Sequence, residues 1–242
     1  MDPIQLQFIE LLKKQSISLN EIQLKQFETY YNELVEWNEK INLTAITERD
    51  QVYMKHFYDS LSISFQTSLS SIVSLADIGS GAGFPSIPLK IVFPHLQITI
   101  VDSLNKRITF LKQLLEKLGI DDVKCIHGRA EDIARIFAYR DSFDLVTARA
   151  VARLSVLNEF CLPFVKNGGT FIAMKGSEVE TELEEAAYSL NELRGKIIRV
   201  DRMELPVDQS VRHFVHITKT GPTTSKYPRK PGVPLKSPLI KN

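Results

Sequence analysis

From about residue 72 the chain alternates short apolar runs with stretches of helical periodicity. This alternation restricts the fold more than any other feature of the sequence. Val73–Ile78, Gln97–Asp102, Val123–His127, Phe143–Thr147 and Thr170–Met174 read as strands, with helices over 86–93, 105–118, 153–160 and 178–194 between them. Such alternation builds parallel strands covered by helices on both faces. Two final extended runs, Lys196–Leu205 and Arg212–Thr220, are joined by a link too short for a parallel crossover. They are expected to pair as an antiparallel hairpin at the sheet edge. The fold class is α/β with a mostly parallel central sheet.

Helices precede this region. Residues 4–14 form one, and residues 21–39 a longer one, in which Phe27, Tyr30, Tyr31, Leu34, Trp37 and Ile41 recur at helical spacing. Asn20 stands where a cap belongs. A stripe of this kind normally faces the protein's own core rather than a partner. The expected organisation is a helical extension over 1–71, a sheet domain over 72–220 and a tail over 221–242.

The tail carries five prolines, which exclude regular helix or a central strand there, so it reads as extended and partly ordered. From Arg212 onward there are seven Lys or Arg and no acid, while the first 211 residues hold 23 basic against 29 acidic groups. An acidic body with a basic end suggests a polyanionic partner, although a merely solubilising tail has the same composition.

Other classes are set aside by what the chain lacks. With 242 residues and 43% hydrophobic content it is not a wholly disordered chain. No apolar run reaches the roughly 18–20 residues of a membrane span. The first residues, Met1-Asp2-Pro3-Ile4-Gln5, do not resemble a secretory signal. Two distant cysteines, Cys125 and Cys161, suggest neither a disulfide framework nor a metal site. A cytoplasmic monomer without a metal is the expectation.

Gly79, Gly81 and Gly83 follow the first strand at alternate positions and precede a helix. Missing side chains let the backbone turn sharply and let a ligand lie against it. Asp102 ends the next strand, 23 residues after Gly79, at the spacing of an acid that accepts from ribose hydroxyls. A nucleoside ligand is therefore expected. A dinucleotide fingerprint would read G-x-G-x-x-G, but position 84 is Phe and the third glycine comes one residue early. The form G-x-G-x-G, with the C-terminal hairpin, resembles the class I methyltransferases. His127-Gly128-Arg129-Ala130-Glu131-Asp132 follows the third strand, where that class contacts adenine. Glu131 or Asp132 is a candidate acceptor for an amino group, or this is only a helix N-terminus. Arg149, after the fourth strand, is a candidate to orient a carboxylate or a substrate phosphate.

Longer motifs then match one family. Trp37-Asn38-Glu39-Lys40-Ile41-Asn42-Leu43-Thr44-Ala45-Ile46, His56-Phe57-Tyr58-Asp59-Ser60-Leu61, Asp77 to Pro85, Gly128-Arg129-Ala130-Glu131, Ala148-Arg149-Ala150-Val151-Ala152 and Tyr227-Pro228-Arg229-Lys230-Pro231-Gly232 lie in order along the chain. Together they resemble the small-subunit ribosomal RNA methyltransferase G family, also called glucose-inhibited division protein B. The resemblance implies methyl transfer from S-adenosylmethionine to N7 of a guanine in the 530 loop of 16S rRNA, in the bacterial cytoplasm. It implies cofactor contacts at Gly79, Phe84, Ala130, Glu131 and Arg149. Gly81, Gly83 and Asp102 join them by the loop and ribose arguments.

Guanine N7 bears a lone pair and no proton, so it needs no base, and positioning can carry most of the catalysis. The sequence agrees, since it has no N-P-P-Y-type motif and neither cysteine lies in a Pro-Cys or Thr-Cys setting. No single catalytic residue is expected. Arg149, Lys175, Lys226, Tyr227, Arg229 and Lys230 are the expected RNA contacts, with Lys236 adding charge. His56 and Asp59, three apart, are expected to share a local hydrogen bond. A methyltransferase for a small molecule or protein, and a non-catalytic RNA-binding module, are the alternatives.

Overall fold

The computed structural model describes residues 2–241. The alternating region closes into one seven-stranded sheet. Its strands are β1 (Ser74–Ile78), β2 (Gln97–Asp102), β3 (Val123–His127), β4 (Phe143–Arg149), β5 (Val165–Lys175), β6 (Gly195–Glu204) and β7 (Val211–Lys219). Their order across the sheet is β3-β2-β1-β4-β5-β7-β6. The first five pair in parallel; β7 lies antiparallel between β5 and the edge strand β6, as the short link requires. The order reverses between β1 and β4, and the carboxyl ends of strands at such a reversal form a natural crevice.

The period of two along the strands divides the core. Leu75, Ile98, Ile100 and Leu145 face one side, and Ala76, Ile78, Val101 and Val146 the other. The second face is covered by α8 (Leu154–Cys161) and α9 (Glu180–Glu192). The first takes α5 (Ser86–Val92), α6 (Asn105–Leu118) and the N-terminal helices α1 (Pro3–Lys14) and α2 (Glu21–Ile41). Asn20 caps α2: its side chain accepts from Gln23 N–H at 2.9 Å, and the Gln23 side chain accepts from Asn20 N–H at 2.9 Å. The aromatic stripe faces inward as expected. Phe8, Phe27, Tyr53 and Phe57 meet with ring centroids 5.1–5.3 Å apart, each such pair adding roughly 0.5–1.5 kcal/mol beyond area burial.

Three elements ahead of the tail differ from the expectation. β5 begins at Val165, before the apolar run, because Lys166, Asn167 and Gly168 are exposed and give no apolar signal. Arg49–Gln66 is helical, with α3 (Arg49–Gln51) and α4 (Asp59–Gln66) flanking a π-helical stretch, Val52–Tyr58. A short helix, α7 (Ala130–Ile133), follows β3.

The tail is attached along its length. It has no strand partner, so its carbonyls need other donors. Arg140 donates to the carbonyls of Thr223, Thr224 and Tyr227, and Arg135 to that of Pro228. Buried Lys219 pairs with Asp141 at 2.8 Å, and Asp141 accepts from Thr223. Contrary to the expectation that the prolines exclude helix here, Val233–Lys236 make one helical turn, α10, which packs on α8; Pro234 stands in its first turn, where no N–H is needed.

Candidate functional site

The glycine turn is held from three sides. Gly79 N–H donates to the Val101 carbonyl at 2.8 Å, tying the loop to β2. Tyr30 Oη, on α2, donates to the Ala82 carbonyl at 2.6 Å. Phe84 is 5% exposed and its ring lies between Tyr30 and His56, at centroid distances of 5.3 and 4.5 Å. Its side chain thus braces the loop, leaving the main chain as the part of Phe84 that a ligand can meet. Gly79 has φ +74°, and a Cβ there would come within 2.8 Å of Val151 Cγ2. The backbone is shaped for something lying against it.

Asp77, next to this turn, is fully buried. Its Oδ2 accepts from Ser86 N–H at 3.2 Å, while Oδ1 has no partner. Burial pushes its carboxyl up to about 7. The folded state therefore keeps a proton that the unfolded chain has lost, and the stability linked to that proton is complete near pH 4 and gone above pH 7. Asp77→Asn is uncharged at every pH. Its stability relative to the wild type should rise between pH 4 and 7, by up to about 1.4 kcal/mol per pH unit. Urea unfolding at stepped pH measures this, and a difference that stays constant would mean that Asp77 is ionised throughout.

Beyond the turn, a cavity of about 150 Å³ opens at the carboxyl ends of β1, β2 and β3. It is lined by Ile78, Gly79, Val101, Ser103, Gly128, Arg129, Ala130, Glu131, Val151, Phe160 and Leu235. Asp102 sits between two lining residues and is 2% exposed. Its oxygens accept from Gly81 N–H at 3.1 Å, Leu104 N–H at 2.9 Å and Arg107 at 3.3 Å. A carboxylate offers about four acceptor positions, so one remains for a hydroxyl. Glu131 is 2% exposed; its Oε1 accepts from Gly232 N–H at 2.9 Å. Oε2 has no protein partner among the described residues and suits an amino group. Apolar walls, a glycine floor and two carboxylates fit the adenosine part of S-adenosylmethionine.

A second, larger cleft of about 530 Å³ adjoins the ends of β4 and β5. The structure places Arg149 here. Arg149 donates to Asp59 Oδ2 at 2.8 Å and to the Lys55 carbonyl at 3.1 Å, with its guanidinium 5.1 Å from the centre of the Phe84 ring. Arg212 Nε donates to the other Asp59 oxygen at 3.0 Å. Asp59 is 2% exposed, so each of its oxygens holds one arginine at the wall of the cleft. Lys55, His56, Met174, Lys175 and Glu182 line the rest.

The expected His56–Asp59 hydrogen bond is not formed. His56 lies in the π-helical stretch, whose wider turn spreads neighbours three apart, and its Nε2 meets Thr44 Oγ1 at 2.8 Å instead. Burial, with Arg149 nearby, lowers the His56 pKa to about 3, so its ring is neutral at physiological pH. Asp59 and Arg212 were not singled out as a pair by their sequence, since 153 residues separate them.

The tail residues are corrected at two positions. Tyr227 is 5% exposed and its hydroxyl donates to Glu192 at 2.7 Å, so it presents no face for a base to stack on. Arg229 spends its fork on Glu159, at 2.6 and 3.0 Å, and its N–H on the same carboxylate at 2.6 Å. Both anchor the tail. Lys226, although exposed, pairs with Glu192 at 2.5 Å. Lys175 is likewise held, by Glu182 at 2.7 Å and the Ala152 carbonyl at 2.9 Å. Lys230 and Lys236 are exposed. Neither cysteine lines either cavity, and burial raises both thiols, Cys125 to about 11. Among the described residues no group of acids, histidines and cysteines could hold a metal, and no helix is long and apolar enough to cross a membrane.

Comparison with known proteins agrees with this architecture. Residues 23–211 match the family model described as rRNA small subunit methyltransferase G. Ribosomal RNA small subunit methyltransferase G of Staphylococcus saprophyticus is 57% identical over 95% of both chains. That of Macrococcus caseolyticus is 52% identical over 98% of this chain and 99% of its own. Among solved structures, M. jannaschii TYW2 in complex with AdoMet superposes with a TM-score of 0.51 over 66% of this chain and 76% of its own, at 14% identity. The [4+2]-cyclase SpnF superposes at 0.53 over 68% and 81%, also at 14% identity. A cyclase beside an AdoMet-bound protein shows that this likeness speaks to fold alone. The end-to-end sequence identity carries the family: this chain belongs to the rRNA small subunit methyltransferase G family.

Proposed function

We propose that this protein transfers a methyl group from S-adenosylmethionine to N7 of a guanine in the 530 loop of 16S rRNA, acting as a monomer in the bacterial cytoplasm. The observation that carries this reading is the pairing of two spaces at the carboxyl ends of the strands. One is the smaller cavity walled by Gly79, Glu131 and Val151, and the other is the larger cleft around Arg149. S-adenosylmethionine supplies an electrophilic methyl group when bound. The smaller cavity would hold the donor and the cleft around Arg149 would hold the guanine, whose N7 lone pair would take the methyl group and leave the purine with the positive charge given up by the sulfonium.

The residues at the cleft suit a base that becomes a cation. His56 is neutral, so it adds no repulsion as charge arrives. Asp59 offsets part of the positive charge of Arg149 and Arg212, each of which holds one of its oxygens and is thereby fixed in orientation. No proton leaves N7, and no side chain is asked to accept one. Phosphate contacts position the RNA, and exposed Lys230 and Lys236 are available for them along with Arg149 at the rim.

The test supplies the purified protein with labelled S-adenosylmethionine and small ribosomal subunits from cells lacking the protein. The RNA is then mapped by chemical cleavage at N7-methylguanosine. One new cleavage in the 530 loop is the expected result. Label in protein or in small molecules, or methylation at an exocyclic amine, overturns the proposal.

A further inference from the structure

The cavity beside the glycine turn is completed by a residue 156 positions further along the chain. Leu235, in the last helical turn, lines it together with Gly79 and Val151. This leucine is 52% exposed, while Pro234 and Leu239 on the same tail are buried. It is placed there by two fixed points. Gly232 N–H donates to Glu131 Oε1 at 2.9 Å, and Arg229 is clamped by Glu159, which is fully buried in α8. The tail thus runs from α8 to the mouth of the cavity, and α10 lies over it.

We propose that the C-terminal turn is a wall of the cofactor site, with Leu235 covering the flat face of the adenine ring. This rests on the reading of the cavity as the adenosine site. A half-exposed leucine beside an apolar cavity gains burial when a planar ring fills the space. Glu131 has two duties under this arrangement. Oε1 holds the tail through Gly232, and Oε2 is left for the base. The Glu131–Gly232 hydrogen bond therefore makes tail order and cofactor binding one equilibrium, so each stabilises the other.

Calorimetric titration of the full-length protein with S-adenosylhomocysteine tests this. Leu235→Ala should weaken binding by about tenfold, from the loss of roughly half of one leucine's burial. The unliganded melting temperature should stay within about 2 °C of the wild type, as expected for a side chain half in solvent. Ile240→Ala, also exposed on the same tail but outside the cavity, should leave binding unchanged. Hydrogen exchange supplies a readout that a purely structural tail would not move: amides of residues 230–236 should slow when S-adenosylhomocysteine is added to the wild type. Unchanged affinity in Leu235→Ala, or ligand-independent exchange in the tail, overturns the proposal while leaving the cofactor reading intact. Absence of any binding heat with the wild type would instead remove the cofactor reading on which it rests.

Discussion

Gly83→Ala should lower the melting temperature by roughly 10 °C and abolish S-adenosylmethionine binding. Gly83 has φ +99°, where an alanine is strained by about 1–2 kcal/mol. The added Cβ would also stand 2.7 Å from Ile87 Cγ1, 2.8 Å from Tyr30 Oη and 2.9 Å from Leu111 Cδ2. These belong to α5, α2 and α6, so relief in one direction presses on another element. Overpacking of this kind costs about 1–3 kcal/mol, and the two effects together amount to roughly 3–4 kcal/mol. For a chain of this size each kcal/mol moves the midpoint by about 2–4 °C. The cheapest escape is for the loop to shift, which breaks the Tyr30–Ala82 hydrogen bond and displaces the main chain that faces the ligand. Gly81→Ala is the control. Its φ is +62°, but a Cβ there meets nothing within 4 Å, so it should cost only the backbone strain. Differential scanning calorimetry with and without ligand separates the two variants. Equal behaviour would show that Gly83 is chosen for backbone freedom alone.

The contrast between those two glycines explains what the sequence could reveal. Gly79, Gly81 and Gly83 look alike in a motif, because a motif records spacing along the chain. What distinguishes them is Tyr30 and Val151, which reach the loop from 52 and 72 residues away. Features carried by local pattern were legible: five parallel strands, the terminal hairpin and the Asn20 cap all follow from period, length or a single turn. The anchoring of the tail is illegible for the opposite reason. Its composition is that of a solvated basic arm, and nothing nearby in sequence indicates that Arg229 has a buried acid waiting 70 residues earlier. The same applies to the larger cleft. Arg149 could be placed from its position after a strand, but Asp59 and Arg212 acquire meaning only when α4, β4 and β7 converge.

That convergence underlies the second large effect: Arg149→Ala should reduce methyl transfer by about 100-fold or more, with a smaller loss in cofactor affinity. Arg149 joins three parts of the site. It holds one oxygen of buried Asp59, fixes the Lys55 carbonyl of the π-helical stretch, and lies over the Phe84 ring that braces the glycine turn. Its removal lets each of these relax, and a misplacement of about 1 Å between reacting groups can cost on the order of 100-fold in rate. It also removes one of the charges that keep His56 neutral, so the His56 pKa should rise in the variant and activity should fall further on the acid side. Arg149→Lys keeps the charge and loses the fork, because one ammonium cannot serve Asp59 and the Lys55 carbonyl with the same geometry. It should fall between, and should restore the wild-type pH profile more completely than the rate. Single-turnover methyl transfer to small ribosomal subunits, followed across pH 5–8, measures both quantities. Asp59→Asn provides the reciprocal test: it leaves Arg149 and Arg212 facing each other without their shared counter-ion, and combining it with Arg149→Ala should cost less than the two losses added together. Strictly additive losses would mean that Arg149 acts on the reaction independently of Asp59, and that the ion-paired trio only lines the cleft.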